Sequence, residues 1–235
     1  MGNKGYGSIP GTLFECITFL ARALPVRSVP TFIELLIGAM LTQTGFVTAA
    51  WLAINPLRSW SAYYKWLQEG KWSWVALGVQ MARMVVTFFP QLVWFLIIDD
   101  TLVYRASRKA SDCGVYHQHG NKANRPQYAR GQCWVSMALS ITRGRKYAAI
   151  PLLSWLMRSD GNTGKLDAAR TLLRAVARVF AGKKVCLLVD RWYMKYPLIT
   201  FTLALGFQVI GQVRRDTALY ALPVTTGKRG RQVWQ

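Results

Sequence analysis

Leu96-Ile97-Ile98-Asp99-Asp100-Thr101 and Leu187-Leu188-Val189-Asp190-Arg191-Trp192 are the two stretches that decide how this chain folds. Each closes an apolar run, residues 91–98 and 184–189, and an unbroken apolar run of that length fits a strand covered on both faces, with the acid marking where the chain leaves the core. Between them, Leu166, Ala169, Leu173, Val176 and Phe180 recur at helical spacing, with Arg170, Arg174 and Arg178 on another face and Gly182 as the stop. Residues 195–205 read as a further helix and 207–213 as a further strand, while 132–141 regain strand character after a polar loop over 105–130. Strand, helix, strand, helix, strand predicts an α/β sheet with parallel neighbours.

Outward toward the N-terminus the texture changes near Pro90. Thr31 can cap a helix running to Leu41, Thr44 and Gly45 can turn the chain, and residues 46–54, 59–68 and 73–86 read as three more helices. Tyr63, Trp66 and Leu67, then Val75, Val79, Ala82 and Val86, are spaced for buried faces. The expected organisation is a small helical domain over 1–89, of the kind that binds DNA through a helix-turn-helix-like module, followed by a sheet-bearing domain over 90–235.

Thirty Lys and Arg against ten Asp and Glu give a formal charge of +20, which points to a polyanionic partner, nucleic acid ahead of an anionic membrane surface. With 52% of the 235 residues hydrophobic, a packed core is available and disorder is excluded as the general state. All three Glu (Glu15, Glu34, Glu69) lie in the first third, so any later carboxylate chemistry must use Asp. Cys16, Cys113, Cys133 and Cys186 show no CxxC pairing and read as reduced intracellular thiols. Residues 13–20 resemble the apolar part of a secretory signal but contain Glu15, and residues 32–54 are long enough to span a bilayer but carry Glu34 and Gln43. Glu15 argues against secretion, residues 32–54 read as a buried soluble helix pair, and the expected location is cytoplasmic, at the bacterial nucleoid.

If the strands ending in Asp100 and Asp190 lie side by side in parallel, both carboxylates emerge at one edge of the sheet. Magnesium takes hard oxygen ligands and retains waters and substrate phosphate, so a few strand-end carboxylates suffice. Two such metals about 4 Å apart serve phosphoryl transfer. Singly, either aspartate reads as a cap for the turn that follows before it reads as a ligand; the pair, on two buried strands of a basic chain, is what points to metal.

Ile97-Ile-Asp-Asp-Thr101, His117-Gln-His-Gly-Asn-Lys122, Arg130-Gly-Gln-Cys-Trp134 and Val189-Asp-Arg-Trp-Tyr193 resemble the DDE (Asp-Asp-Glu) superfamily of insertion-sequence transposases. Glu34-Leu-Leu-Ile-Gly-Ala-Met-Leu41 and Tyr63-Tyr-Lys-Trp66 are similar to that family's helical, DNA-binding N-terminal part. The resemblance implies an RNase H-like mixed sheet with flanking helices, Mg2+ or Mn2+ at a two-metal site, and double-stranded DNA as partner, both transposon ends and target, with a homodimer as one candidate assembly. It implies nicking of the ends and transfer of the 3′-hydroxyl. Asp100 matches the first catalytic, metal-binding aspartate and Asp190 the second; Asp99 is the alternative for the first, because one step along a strand reverses the side-chain face.

The family places its third carboxylate, a Glu, on a helix well after the strand matching 207–213, and no Glu follows Glu69 here; Asp216 comes too early. The expectation is a partial, catalytically incomplete domain. Related proteins continue after Lys-Arg-Gly-Arg with something like Pro-Arg-Lys-Tyr-Gly, whereas Gly230-Arg231 precedes Gln232-Val233-Trp234-Gln235, which suggests a frameshift near codon 231, in a decayed element or by programmed slippage.

Lys109, Lys122, Arg125, Arg130, Arg191, Lys195 and Arg215 are the candidate DNA contacts, each equally a solvated surface charge when taken alone. Trp192 and Tyr193 fit either core packing or contact with distorted DNA. Cys113, His117, His119 and Cys133 are zinc-ligand types without the spacing of a familiar finger. The alternative function is a non-catalytic DNA-binding protein or transposition inhibitor.

Overall fold

The protein is described here by a computed structural model covering residues 10–107, 109–117, 127–158, 164–213, 215 and 217. Five helices come first: α1 (Gly11–Ala21), α2 (Val29–Met40), α3 (Val47–Leu52), α4 (Trp60–Glu69) and α5 (Trp74–Phe88). Then follow β1 (Trp94–Tyr104), β2 (Gly114–His117), β3 (Tyr128–Arg143), β4 (Lys146–Leu156), α6 (Lys165–Val176), β5 (Val185–Val189), α7 (Tyr196–Ala204) and β6 (Gln208–Gly211). The α/β class expected from the sequence is what forms, a six-stranded mixed sheet with flanking helices. The path β2-β3-β1-β5-β6 has β4 as a second partner of β3.

Two ladders set the sheet's character. β1 runs antiparallel to β3 from Phe95↔Ser140 to Tyr104↔Gly131 and parallel to β5 from Trp94↔Val185 to Ile98↔Val189. β5 and β6 are also parallel, whereas β4 and β2 add to β3 antiparallel. The β3–β4 hairpin was not foreseen. It turns through Gly144 and Arg145, with Gly144 at φ +61°, a conformation cheap only for glycine in so tight a loop.

β1 is also longer than its apolar run. The expected strand ends at Ile98, yet pairing with β3 carries it through Asp99, Asp100 and on to Tyr104. Hydrophobicity marks where a strand is buried, and backbone hydrogen bonds decide where it stops.

One face of the sheet carries the main core. Trp94, Leu96 and Ile98 of β1, Val135, Met137 and Leu139 of β3, and Val185 and Leu187 of β5 are at most 3% exposed and meet Ala168, Ala169, Leu172, Leu173 and Val176 of α6. The apolar face expected of this helix is buried, with Arg174 exposed and Arg170 half-buried; α6 stops at Val176, and Arg178, exposed, and Phe180, buried, stand in a 3-10 turn that follows it. α5 lies on the same face: a Cβ at Gly78 would stand 2.5 Å from the carbonyl oxygen of Leu152, so that residue is a contact point between helix and sheet.

α5 also faces the N-terminal helices, where Leu20, Leu24, Phe32 and Met84 form a second cluster. Its N-terminus is capped by Ser73, whose Oγ accepts from the Ala76 N–H at 3.2 Å. Thr31, expected to cap α2, lies inside that helix instead; it is buried, and its hydroxyl accepts from Arg58 at 3.2 Å. Glu34 joins the loop and α4 to α2 by accepting from the Leu57 N–H and, at 2.5 Å, from the buried Tyr63 hydroxyl. Among the described residues no helix is long and apolar enough to cross a membrane.

Candidate active site

Because β1 and β5 are parallel neighbours, the aspartates that follow their apolar runs emerge at one edge of the sheet. Continuing the register one step past Ile98↔Val189 brings Asp99 level with Asp190. Asp100, a further step along, returns to the helix-bearing face with Leu96 and Ile98, since strand side chains alternate.

On that face three side chains converge on Asp100. Lys165, the first residue of α6, places its ammonium 2.6 Å from Oδ2, with the two side chains 27% and 23% exposed. The buried Tyr193 hydroxyl donates to Oδ1 at 3.1 Å, and the Cys133 thiol approaches Oδ2 at 3.7 Å. Burial first, then the charge of Asp100 and its hydrogen bond, push the Tyr193 phenol far above its usual range, so it stays a proton donor. Burial likewise pushes the Cys133 thiol up to about 11, with Lys165 opposing and Asp100 adding to the effect, which keeps the sulfur protonated at neutral pH.

Asp190 is exposed and sits just beyond β5. Its Oδ1 accepts from the backbone N–H groups of Trp192 at 2.9 Å and Tyr193 at 3.2 Å, an Asx-type turn that reverses the chain toward α7. Tyr193 thus touches both aspartates, one through its side chain and one through its backbone. The Trp192 indole lies beside Tyr193, with the Lys195 ammonium 3.9 Å and the Lys165 ammonium 5.1 Å from its ring centre.

Asp99 belongs to the same electrostatic neighbourhood. Although the residue is exposed, partial desolvation raises its carboxyl above the ordinary aspartate range, the Asp100 N–H that it accepts at 2.8 Å lowers it, the charges of Asp100 and Asp190 raise it again, and Lys165 pulls it down.

Among the described residues no group of three or more His, Cys, Asp or Glu converges as a ready metal cage. The donors at this edge nevertheless suit a hard divalent cation. They are carboxylate oxygens, and Asp100 Oδ2 already seats a positive charge in the Lys165 ammonium. Asp190 commits one oxygen to its turn.

The other sequence-derived candidates are scattered. Lys109 is exposed in the turn before β2, with its N–H bonded to Ser107 Oγ. Arg130 is half-buried on β3 and donates to the Ser107 carbonyl at 2.7 Å, so its guanidinium fastens a loop. Arg191, Lys195 and Arg215 are exposed, the first two flanking Trp192 in sequence. Lys122, Arg125 and His119 lie outside the described residues. Of the zinc-ligand types, Cys133 is buried against Asp100, and Cys113 is half-buried just before β2.

Sequence reasoning missed Lys165 and the part played by the Tyr193 hydroxyl. Lys165 is 65 residues from Asp100 and opens an ordinary amphipathic helix, so no local pattern singles it out.

The sequence model of the DDE superfamily endonucleases matches residues 31–235. No curated protein matches the chain. Among solved structures, a piggyBac transposase in a synaptic complex with hairpin DNA is similar at a TM-score of 0.39 and 16% identity, over 91% of this chain and 46% of that one. The chain therefore spans just under half the length of that transposase.

Proposed function

This chain belongs to the DDE superfamily of endonucleases, and from that membership we propose that it is a DNA-transposition nuclease module in which Asp100 and Asp190 are the metal-binding carboxylates. The supporting observation is that Tyr193 links the two acids just past the parallel pairing of β1 and β5, its hydroxyl bonded to Asp100 Oδ1 and its backbone N–H to Asp190 Oδ1, with the Lys165 ammonium on Asp100. Bound Mg2+ or Mn2+ would activate the attacking oxygen and stabilise the leaving one. The chain's own residues orient the carboxylates: the Tyr193 hydroxyl holds Asp100 Oδ1, and the turn to α7 holds Asp190 Oδ1.

Double-stranded DNA, at transposon ends and target sites, is the proposed partner. Exposed Lys109, Arg191, Lys195 and Arg215 are its phosphate contacts in this reading, together with Lys122 and Arg125 of the basic loop. The helices over 1–89 are the proposed end-binding part, and a homodimer is the assembly in which two ends would be held.

A second reading, a DNA-binding protein that does not cut, is favoured by one observation: no Glu follows Glu69 in these 235 residues, and among the described ones no group of three or more His, Cys, Asp or Glu converges to hold a metal. We therefore expect the 235-residue chain to bind linear duplex DNA and Mn2+ without nicking it. Mn2+ binding and electrophoretic retardation of duplex DNA, measured on the parent, Asp100→Asn and Asp190→Asn, test both statements. Loss of Mn2+ binding with DNA binding kept supports the assignment, and unchanged Mn2+ binding in both variants sinks it. Nicking by the parent chain would remove the non-cutting reading.

A further inference from the structure

We infer that Lys165 is the resident counter-ion of Asp100: it holds the carboxylate while no metal is bound and is displaced onto a DNA phosphate when a divalent ion takes that oxygen. The inference rests on the reading of Asp100 as a metal ligand and adds a regulatory part for a residue that the family match does not single out. Three observations carry it.

The first is geometry. The ammonium lies 2.6 Å from Oδ2, with the Cys133 thiol farther off at 3.7 Å, while Tyr193 occupies Oδ1, so Lys165 stands on the oxygen that the Tyr193 hydroxyl leaves to a cation. A divalent cation and an ammonium cannot share one carboxylate oxygen at contact distance without strong mutual repulsion. Binding of one requires the other to leave.

The second is exposure. The two side chains retain 27% and 23% of their surface, so the pair opens to solvent and an ion can reach it. An exchange of partners at such a site needs no unfolding.

The third is what surrounds the ammonium. Lys165 opens α6, the end of a helix where a positive charge is mildly unfavourable, and the acid that suits this end is supplied separately by Asp167, which pairs with Arg170. Helix stability therefore does not explain a lysine here. On its other side lies the Trp192 ring, already bearing Lys195 at 3.9 Å. A Lys165 released from Asp100 joins Lys195 beside that ring, making a two-ammonium seat for a phosphate at the sheet edge that carries the carboxylates.

The test uses the 235-residue chain, with free Mn2+ followed by its EPR signal during titration. Lys165→Met is expected to bind Mn2+ up to about five-fold tighter than the parent, because the competing charge is gone. Lys165→Gln, which keeps a hydrogen bond to Asp100, should tighten binding as well and serves if the Met variant does not fold; Lys165→Arg should return to the parent value. A second readout is the salt dependence of duplex DNA binding. In the parent, saturating Mn2+ should steepen the log–log slope by about one phosphate contact, and Lys165→Met should lack that increment.

Unchanged or weakened Mn2+ affinity in both neutral variants, with binding still abolished by Asp100→Asn, overturns the inference and leaves the ligand assignment standing. Unchanged Mn2+ affinity in Asp100→Asn overturns the ligand assignment and the inference with it.

Discussion

Asp100 sits within a strand, 23% exposed, with Lys165, Tyr193 and Cys133 around its two oxygens, whereas Asp190 stands just past a strand end, exposed, and held by two backbone N–H groups. Both follow the same kind of apolar run, and the difference lies in where their partners come from. Those of Asp100 are 33, 65 and 93 residues away along the chain, and those of Asp190 are two and three. Asp190 is positioned by its own turn as soon as β5 forms. Asp100 acquires its environment only when β3, α6 and the turn to α7 have all packed. The second acid is thus a local feature, and the first is a product of the whole sheet.

Tyr193 is where the two environments join, so its removal should have the largest effect. Tyr193→Ala deletes a fully buried ring from the main core and is expected to cost about 3–5 kcal/mol in urea unfolding. Tyr193→Phe separates the two acids. It keeps the packing and the backbone N–H on Asp190 and removes only the bond to Asp100, at about 1–2 kcal/mol. If the Phe variant were as unstable as the Ala variant, the hydroxyl and not the ring would dominate, and the contrast drawn between the acids would need reversing.

Asp190 offers the next smaller effect. Asp190→Ala removes the acceptor of two turn N–H groups and should cost about 1 kcal/mol, while Asp190→Asn, whose amide oxygen can accept the same bonds, should cost only a few tenths. The Asn variant is therefore a clean probe of metal binding. An Asn variant as unstable as the Ala one would mean that the charge of Asp190, and not its hydrogen bonds, holds the turn.

The same division explains how much could be read from the sequence. β5, α6, α7 and β6 stand where apolar runs and helical spacing put them, because burial there follows residue type: Leu187 and Leu173 are fully buried, and Arg174 and Arg178 are exposed. The aspartates were visible because acids stand out at the ends of such runs. The β3–β4 hairpin was hidden by a turn of Gly144 and Arg145 set among basic residues, which resembles a solvated loop. β1 outlasted its apolar stretch because the partner strand, a feature of the fold, continued to supply hydrogen bonds. Lys165 was invisible because pairing across 65 residues leaves no spacing to recognise.

Asp99 gives the smallest expected effect and the sharpest division between the neighbouring acids. Asp99 is exposed, so only partial desolvation raises its carboxyl, with Asp100 and Asp190 adding repulsion, and the folded protein prefers it protonated slightly more than the unfolded chain does. A raised acid favours folding at pH values below the ordinary aspartate range, near 4, and that contribution is lost as pH rises through the folded value. At neutral pH the ionised Asp99 is accordingly a small liability. Asp99→Asn can still accept the Asp100 N–H, so it should match the parent below about pH 4 and melt about 1–2 °C higher at pH 7. Asp100→Asn should show no such gain, because it deprives Lys165 of its charged partner. A neutral-pH loss of stability in Asp99→Asn would show that favourable contacts hold the ionised carboxylate after all. Asp99 would then become the stronger claimant to the first metal-binding position, standing level as it does with Asp190.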